Sequence, residues 1–340
     1  MKKFISTLLL CAVLTSCASG APSTEPSTNG AGRDSTAVSA PEGTVSAGDT
    51  SAEETDVPET EGYASYTGSE LGGNLTYTTY KGKIITDFSF ADGLSKNFFS
   101  DTDKSDPTGS WYCGKTERNE ATGEVKVIFD RAADVFDAME KYGAVYRKNE
   151  DEKVIYLTFD CGFKNGNTGK ILDILKEKDV SAAFFLNGQF IKTAPDLVKR
   201  MLDEDHVVGN HGNNHAIMSK LSIEELIYEV ESNNALLQSS VPGAPYMKYF
   251  RPPAGSCSPW DLALYQAMDL ECILYSWAYY DYAVDDQPDP AKALAQMKAG
   301  LHNGSVLMFH CVGETNGKVL GEFIDYARAE GFRIGDIREK

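Results

Sequence analysis

The chain is poor in positive charge. It has 32 lysine and arginine residues against 50 aspartate and glutamate residues, and its formal net charge is −18. Proteins that bind nucleic acids cluster basic residues on one surface to neutralise phosphates, and no such cluster is evident here. The composition therefore excludes nucleic acid as an expected partner. With 340 residues, the chain is still long enough for a sizeable core in one large or two small domains.

Long apolar runs and paired cysteine motifs are also missing. Beyond its first residues, the sequence has no segment long and apolar enough to predict a transmembrane helix. It has no Cys-x-x-Cys motif, so no structural zinc knuckle is indicated. An odd number of cysteines follows Cys17, which would leave at least one unpaired outside the cytoplasm. They are Cys113, Cys161, Cys257, Cys272 and Cys311.

The first 17 residues have the pattern of a secretion signal. Lys2 and Lys3 precede an apolar stretch, Phe4 to Leu14, that is too short to span a bilayer of about 30 Å. It runs into Leu14-Thr15-Ser16-Cys17, which resembles a bacterial lipobox. We expect cleavage before Cys17 and lipid attachment to it, which would anchor an extracytoplasmic protein to the outer face of the bacterial cell membrane. The alternative is an ordinary signal peptide with a chance cysteine.

Composition divides the rest of the chain into three parts. Residues 18–62 form an acidic segment of Ser, Thr, Pro and Gly that cannot bury enough apolar surface to fold, so we predict a disordered linker. Residues 63–110 are richer in aromatic and β-branched residues. Leu75 to Tyr80 followed by Lys81-Gly82 predicts a hairpin packed on the main domain. That domain is expected to occupy residues 111–340.

Strands and helices alternate through the main domain, which predicts a parallel sheet. Asp160, His211, Arg251, Asp281 and His310 each follow a strand end, and in a barrel such ends share one rim. We therefore predict an irregular (β/α) barrel with about seven parallel strands. The predicted strands are 154–159, 182–186, 206–210, 249–250, 272–277, 306–309 and 332–334. The predicted helices are 168–178, 191–203, one opened by a capping box at Ser222, 259–268, 290–299 and 320–330.

Two pairs of residues indicate a metal and a base. His211 and His215 form a His-x-x-x-His pair that suits a divalent metal, although two surface histidines would give the same spacing. Asp160 ends an apolar strand, where a carboxylate beside a metal-bound water can act as a general base. Arg251 is the natural bidentate partner that keeps this carboxylate ionised. The alternatives are a turn or helix-capping role for Asp160 and an ordinary salt bridge for Arg251.

The last strand supplies a candidate acid. His310 could donate a proton to a leaving amine, and Asp281 could orient and polarise its imidazole. Trp277 and Tyr282 would wall the pocket, although either could belong to the core. A lone histidine here would more often be a core residue, but the accompanying motifs favour the catalytic interpretation.

Taken in order, these motifs resemble the polysaccharide deacetylase family, carbohydrate esterase family 4. They are Thr158-Phe159-Asp160-Cys161-Gly162, His211 to His215, Arg251-Pro252-Pro253-Ala254-Gly255, Trp277 with Asp281-Tyr282, and Leu307 to His310. The stretches 158–168 and 111–115 are similar to the branch that deacetylates muramic acid in peptidoglycan and forms the δ-lactam of spore cortex.

The resemblance implies a role for each residue. Asp160 is the base, Arg251 its support, His310 the acid and Asp281 its partner. His211 and His215 are ligands of a divalent metal, expected to be zinc, which polarises the acetamide carbonyl. The Arg-Pro-Pro motif brings Pro253 to the substrate pocket. The implied substrate is a peptidoglycan glycan strand, with the membrane reached only through the lipid anchor and no obligate protein partner.

One position departs from the family. Most members have a second aspartate, the third metal ligand, where this chain has Cys161, and the muramic branch usually has asparagine there. Two hypotheses follow: Cys161 thiolate ligates zinc with the two histidines, or Cys161 is a spectator and the metal is weakly held or absent. A nucleophilic Cys161 is disfavoured because neighbouring Asp160 opposes thiolate formation.

Three functions remain open at this point. The sequence favours an N-acetylmuramic acid deacetylase that acts in cell wall or spore cortex modification. A deacetylase of N-acetylglucosamine in peptidoglycan or chitin-type oligosaccharides is the enzymatic alternative. A non-catalytic glycan-binding lipoprotein is the alternative from another class, but a pure binder has no need for a matched base and acid.

Overall fold

A computed structural model of the chain describes residues 66–67, 75–96, 111, 115–119, 125–128 and 133–340. All of them lie in the unit Pro58–Lys340. The predicted signal peptide with Cys17, the linker 18–62 and Cys113 lie outside the described residues. Part of the extension 63–110 does so too.

Thirteen strands occur in the described residues, and eight of them belong to the main sheet. They are β1 (Tyr66–Thr67), β2 (Thr76–Thr78), β3 (Ile84–Ile85), β4 (Lys115–Arg118), β5 (Val125–Ile128), β6 (Val154–Cys161), β7 (Ala183–Leu186), β8 (Val207–Asn210), β9 (Tyr249–Phe250), β10 (Glu271–Cys272), β11 (Trp277–Ala278), β12 (Ser305–His310) and β13 (Arg333–Ile334).

Eight α-helices occur in the same residues, most of them between strands of the main sheet. They are α1 (Ala133–Lys141), α2 (Asn167–Glu177), α3 (Gly188–Thr193), α4 (Pro195–Asp203), α5 (Ile223–Ser240), α6 (Pro259–Ala267), α7 (Pro290–Ala299) and α8 (Asn316–Ala329). Single 3₁₀ turns cover Ser89–Ala91, Met218–Lys220 and Pro253–Gly255.

The main sheet is parallel and curls into an irregular barrel. Its strand order is β10-β9-β8-β7-β6-β12-β11, with β13 paired to the start of β6. The end strands β10 and β11 are consecutive in the chain, so the segment between them crosses from one edge of the sheet to the other. Val145 bridges Ile273 and Arg147 bridges Ser305 in this gap. The predicted (β/α) barrel is therefore confirmed, and its seam is closed by bridges rather than by a continuous ladder.

Strand β6 separates two cores. Its eight residues are all buried, as expected of a central parallel strand. Alternate residues such as Ile155, Leu157 and Phe159 pack in an outer core against the helices. Val154 and Tyr156 belong to a second cluster on the other face, and Asp160 shares that face. The alternation of the strand thus fixes which side chains reach the inside of the barrel.

Two predicted elements are divided. The predicted helix 191–203 is α3 followed by α4, because Pro195 begins a new helix and Ala194 before it has left the helical conformation. The predicted strand 272–277 is β10 and β11, because the first pairs with β9 and the second with β12. The capping box at Ser222 and the long helix behind it are confirmed.

The described part of the extension is a hairpin on the main domain. β2 and β3 pair in antiparallel fashion, and Gly82 adopts a positive φ of 77° in the turn between them. Tyr77 is fully buried and its hydroxyl donates to Glu231 of α5 at 2.6 Å. Among the described residues, no helix combines the length and apolar character that a membrane span requires.

Candidate active site

The rim of the barrel holds a cavity of about 580 Å³. Four of the predicted catalytic and metal-binding residues line it: Asp160, His211, His215 and His310. They come from β6, from the turn after β8 and from β12, so chain segments far apart in sequence meet at one mouth. The other lining residues are Gly162, Phe163, Ala254, Gly255, Tyr275, Ala278, Tyr279, Tyr280, Tyr282, Met308 and Val312.

Asp160 and His310 lie side by side across the β6–β12 ladder. Their Cα atoms are partners in the parallel register, at the end of the six-residue pairing that begins at Ile155 and Ser305. Neighbouring parallel strands are about 4.8 Å apart, and side chains at one level point to the same face. Both side chains therefore line the cavity, with the carboxylate beside the imidazole.

Arg251 binds the Asp160 carboxylate and fixes its position. Its Nη1 donates to Asp160 Oδ1 at 2.8 Å, and its Nη2 donates to Thr158 Oγ1 at 2.8 Å. Nε and Nη2 also donate to the carbonyls of Ile273 and Leu274. The guanidinium is fully buried, so every one of these bonds forms in a low dielectric. This environment fixes both the position and the charge of the carboxylate.

The balance of charges keeps Asp160 ionised. Burial opposes its negative charge, but the Arg251 guanidinium, with smaller contributions from His211 and His310, outweighs burial and lowers the pKa of the carboxyl. One oxygen is committed to Arg251, whereas Oδ2 lies 3.6 Å from His211 Nε2. The second oxygen faces the cavity side of the ion pair, where a general base must act.

His310 has its own carboxylate partner. Its Nδ1 lies 2.6 Å from Asp281 Oδ1, and its backbone N–H donates to Asp281 Oδ2 at 2.8 Å. Asn316 Nδ2 donates to the same Oδ2 at 2.7 Å and to the His310 carbonyl at 3.1 Å. Asp281 is fully buried. The contact sets Nδ1 as the protonated nitrogen and leaves Nε2 as the atom that can exchange a proton.

The carboxylates around His310 favour its charged form. Burial alone would lower the pKa of the imidazole, but the hydrogen bond and charge of Asp281, followed by the charge of Asp160, raise it above its usual value. Asp160 is thus held ionised while His310 is held protonated. A base and an acid ready at the same pH are what hydrolysis of an amide needs.

His211 is oriented by the backbone of Arg251. Its Nδ1 lies 2.8 Å from the Arg251 carbonyl oxygen, which can only accept, so Nδ1 carries the proton and Nε2 presents a lone pair. Burial lowers the pKa of His211 to about 4 despite the nearby Asp160. A neutral imidazole with one nitrogen tied to a carbonyl is the form in which histidine binds metals.

His215 sits on a turn that α5 holds in place. Its ring centroid is 5.0 Å from that of His211, and its backbone adopts the left-handed conformation with φ 57°. Glu229 accepts from the Asn214 backbone N–H at 2.8 Å and from Asn214 Nδ2 at 2.6 Å. Burial lowers the pKa of His215, opposed by the charge of Asp160. Such strain in a non-glycine residue is typical of functional positions.

The two histidines suit a divalent cation, but Cys161 does not complete their ligand set. No group of three His, Cys, Asp or Glu side chains within the described part of the chain is arranged to hold a metal. Cys161 packs in the outer core and forms a disulfide with Cys311. A disulfide sulfur is no thiolate, and the alternation of β6 turns it away from Asp160. The hypothesis of Cys161 as zinc ligand is therefore corrected.

Of the three residues predicted to form the pocket, the structure brings one directly to the cavity. Tyr282 lines the cavity, and its ring lies 5.7 Å from that of His310. Trp277 does not act as a wall, because it packs in the outer core on Phe309 and stacks on Tyr279. Pro253 is buried and begins the 3₁₀ turn whose next two residues line the cavity, so it shapes the wall from behind.

Three further residues support the site, and of these only Glu229 lies outside the motifs noted in the sequence. Thr158 donates its hydroxyl to the Leu307 carbonyl and accepts from Arg251, so it joins β6, β12 and the arginine. Glu229 belongs to the buried face of α5, where its role depends on tertiary contacts. Trp111 donates to the carbonyls of Gly255 and Tyr275, both cavity residues. The sequence motifs include Thr158 and Trp111, but the hydrogen bonds of all three residues depend on tertiary contacts.

Comparisons with known proteins show which family the chain is similar to. Residues 147–273 match the family model described as polysaccharide deacetylase. The peptidoglycan-N-acetylmuramic acid deacetylase PdaA of Bacillus subtilis is 34% identical over 199 residues, which is 58% of this chain and 75% of that protein. A peptidoglycan-N-acetylglucosamine deacetylase of Bacillus cereus is 36% identical over 120 residues, which is 35% of this chain and 43% of the other.

A solved structure matches over a larger share of the chain. The structure of Bacillus subtilis PdaA, described as a family 4 carbohydrate esterase, aligns with a TM-score of 0.61 at 30% identity. The alignment covers 66% of this chain and 94% of that chain. The shared region thus takes in nearly all of the compared structure.

Proposed function

This chain belongs to the polysaccharide deacetylase family, carbohydrate esterase family 4, whose enzymes hydrolyse N-acetyl amide bonds. From that premise, we propose that it removes the acetyl group of N-acetylmuramic acid in peptidoglycan. One observation carries the catalytic part of the proposal. An ionised Asp160 and a protonated His310 share one strand level and one cavity, and each is held by a buried partner of opposite charge.

The chemistry follows from these protonation states. Asp160 Oδ2 takes a proton from the attacking water while the water oxygen forms a bond to the acetamide carbon. His310 Nε2 then gives its proton to the sugar nitrogen as the carbon–nitrogen bond breaks. The products are acetate and a free amino sugar, and the two proton transfers leave Asp160 protonated and His310 neutral. Exchange with solvent restores the starting states.

Arg251 and Asp281 act through the base and the acid. Arg251 keeps Asp160 ionised without using the oxygen that faces the cavity. Asp281 holds Nδ1 of His310 and stabilises the imidazolium, as a buried carboxylate does for a catalytic histidine.

Enzymes of this family generally depend on a metal ion. His211 and His215 are the residues that we propose hold it, because both imidazoles are buried and favour the neutral form. Zinc is the metal we propose, since imidazole nitrogens suit it well. When bound, it would supply Lewis-acid polarisation of the acetamide carbonyl.

The choice of muramic acid rests on similarity rather than on pocket shape. The stretch 158–168 is similar to the muramic acid branch, and the matched Bacillus subtilis relative is named for that substrate. In this stretch, Asn165 and Asn167 both donate to the carbonyl of the cavity residue Val312, at 2.8 and 2.9 Å. The stretch therefore shapes the wall next to His310, which is where substrate selection would act.

The test is mass spectrometry of glycan fragments incubated with the zinc-loaded protein. The proposal predicts loss of acetyl from muramic acid and an equal release of acetate. Loss from glucosamine alone would replace it with the second candidate, which the similarity to the Bacillus cereus enzyme supports. Absence of acetate release from every glycan and metal tried would favour the non-catalytic glycan binder.

We also propose that the protein acts outside the cytoplasm, anchored through a lipid on Cys17. The lipobox-like sequence supports this placement, as does a disulfide in the main domain, because disulfides persist in oxidising compartments. Labelling cells with a radioactive fatty acid tests it. The expected result is label in the wild-type chain and none in Cys17→Ala.

A role in sporulation would be tested by assaying spore cortex δ-lactam in a strain lacking the protein.

A further inference from the structure

The disulfide between Cys161 and Cys311 lies directly behind the two residues assigned as base and acid. Cys161 follows Asp160 and Cys311 follows His310, and the Cα atoms of the two cysteines are 5.1 Å apart. Both side chains are fully buried in the outer core, on the opposite face of the sheet from the cavity. The one covalent link between β6 and β12 in the described residues is thus placed one residue beyond the catalytic level.

The hydrogen-bonded ladder stops at this same level. The register of β6 and β12 ends at Asp160 and His310, and the Cys311 N–H donates to the Asp160 carbonyl at 3.0 Å as the last bond. Beyond it the two segments are joined by hydrogen bonds that the side chains of Asn165 and Asn167 donate to the Val312 carbonyl. The end of a ladder is where local opening costs least. The disulfide adds a covalent restraint at this level to the hydrogen bonds that hold Asp160 and His310 separately.

We propose that the Cys161–Cys311 disulfide is a positioning clamp, which fixes the separation of Asp160 and His310 and so sets the rate of the chemical step. The inference rests on the proposed deacetylase function. It assigns the cysteines no contact with substrate, because both lie on the far face of the sheet. A displacement of about 1 Å between reacting groups can reduce a rate by about 100-fold.

A disulfide that positions the catalytic residues and one that only fills the core predict different kinetic effects when it is removed. A filler needs only volume, so alanine or serine pairs would lower stability while the folded fraction kept its turnover number. A clamp needs the covalent bond, so kcat falls even in a fully folded variant. KM should change little, because aromatic residues that line the cavity, such as Tyr280 and Tyr282, are on other segments.

The first experiment compares two cysteine pairs of equal burial. The test variant is Cys161→Ala with Cys311→Ala, and the control is Cys257→Ala with Cys272→Ala, which removes two buried free thiols. After near-ultraviolet circular dichroism has shown native packing, kcat and KM for acetate release are measured for both. We expect kcat of the test variant to fall about 10- to 100-fold with KM within twofold of wild type. The control should keep both values within twofold.

A second experiment uses the native sequence, in case the double alanine variant fails to fold. Tris(2-carboxyethyl)phosphine in mild urea reduces the disulfide to two thiols, with water as the oxygen source and the phosphine converted to its oxide. Urea and reductant are then removed without oxygen, and kcat is measured before and after reoxidation. The clamp predicts a loss of kcat that reoxidation reverses. Peptide mapping without reduction follows the 161–311 cross-link independently of activity.

The outcomes separate this inference from the proposed function. Acetate release by oxidised wild type with unchanged kcat in the folded variant or reduced chain overturns the clamp and leaves the deacetylase standing. Absence of the 161–311 cross-linked peptide from the active protein also overturns the clamp alone. If the cross-linked wild type releases no acetate from any glycan, both fall together.

Discussion

Arg251 Nη1 donates to Asp160 Oδ1 at 2.8 Å, and both side chains are buried, with Asp160 lining the cavity. The pair lies at the centre of the site, since the same arginine also binds Thr158 and its carbonyl orients His211. A buried charge pair contributes little to stability in itself, but the loss of one partner strands the other. The pair therefore couples the protonation of the base to the integrity of the barrel.

Asp160→Asn should abolish most of the activity without unfolding the protein. The amide cannot take a proton from water, so we expect acetate release to fall by about 10²- to 10⁴-fold. Asp196→Asn provides the control, because Asp196 is an exposed carboxylate paired with Lys164. It should keep wild-type rates. An Asp160→Asn variant with more than a tenth of wild-type kcat would remove Asp160 from the role of base.

Arg251→Met should destabilise the fold through its partner. It leaves the buried Asp160 carboxylate without its main counter-charge, and breaking a buried pair in this way costs about 3–5 kcal/mol. Urea unfolding measures the difference. The double variant Asp160→Asn with Arg251→Met should recover a large part of the loss, because no charge remains buried. If the double variant loses as much free energy of unfolding as the two single variants added together, the pair is not coupled.

The pH dependence of activity should reflect the effects of Arg251 on the pKa of Asp160 and of Asp281 on the pKa of His310. Arg251 lowers the pKa of Asp160, so the base stays ionised as the pH falls below its usual range. Asp281 raises the pKa of His310, so the acid stays protonated to higher pH. In Asp281→Asn, burial dominates and the alkaline limb of kcat/KM should move to lower pH. Exposed Asp285→Asn is the control, and a limb unmoved by Asp281→Asn would contradict the pairing.

Metal content should depend on the histidines and be independent of Cys161. His211→Ala and His215→Ala should each reduce bound zinc, measured by inductively coupled plasma mass spectrometry, because each removes one of two buried imidazole donors. Cys161→Ser should retain wild-type zinc, because its sulfur is bonded to Cys311. His302→Ala is the matched control, since His302 is a buried histidine bound to Ser276. Loss of zinc in Cys161→Ser would restore the thiolate hypothesis.

Much of the barrel could be predicted because local signals and tertiary contacts agree along it. The apolar run before Asp160 predicts a strand buried on both faces, and the structure extends that strand to Cys161. The Ser222 capping box predicts where α5 begins, since its hydrogen bonds are local. Asp160, His211 and His310 could be named for the same reason, because each stands at the end of a strand whose apolar pattern is plain.

The remainder depends on contacts that are distant in sequence. The segment 272–277 looks like one strand, yet its two ends belong to β10 and β11, which lie at opposite ends of the sheet order and pair with β9 and β12. Trp277 looks like a pocket residue, but strand alternation turns it into the outer core. Cys161 looks like a ligand because it stands where most of the family has a metal-binding aspartate, and only the register with β12 brings it to Cys311. No local pattern contains these pairings.

Glu231 should make the docking of the extension sensitive to pH. The hydroxyls of Tyr77 and Tyr246 both donate to its Oε1 at 2.6 Å. Burial raises the pKa of Glu231 to about 7, although the two hydroxyls favour its ionised form. In the unfolded chain the carboxyl loses its proton near pH 4.5, so between about 4.5 and 7 the folded state binds more protons. Stability from this group is therefore present below 4.5 and is lost as the pH rises towards 7.

Urea unfolding at pH 5 and at pH 8 measures this contribution. We expect the free energy of unfolding of the wild type to fall between these values by more than that of Glu231→Gln, with a slope difference of at most about 1 kcal/mol per pH unit. Glu224→Gln changes an exposed residue of the same helix and should keep the wild-type pH dependence. If Glu231→Gln has the same slope as the wild type, the carboxyl does not bind its proton more tightly in the folded state. The hairpin would then be held by the packing of Tyr77 and its neighbours alone.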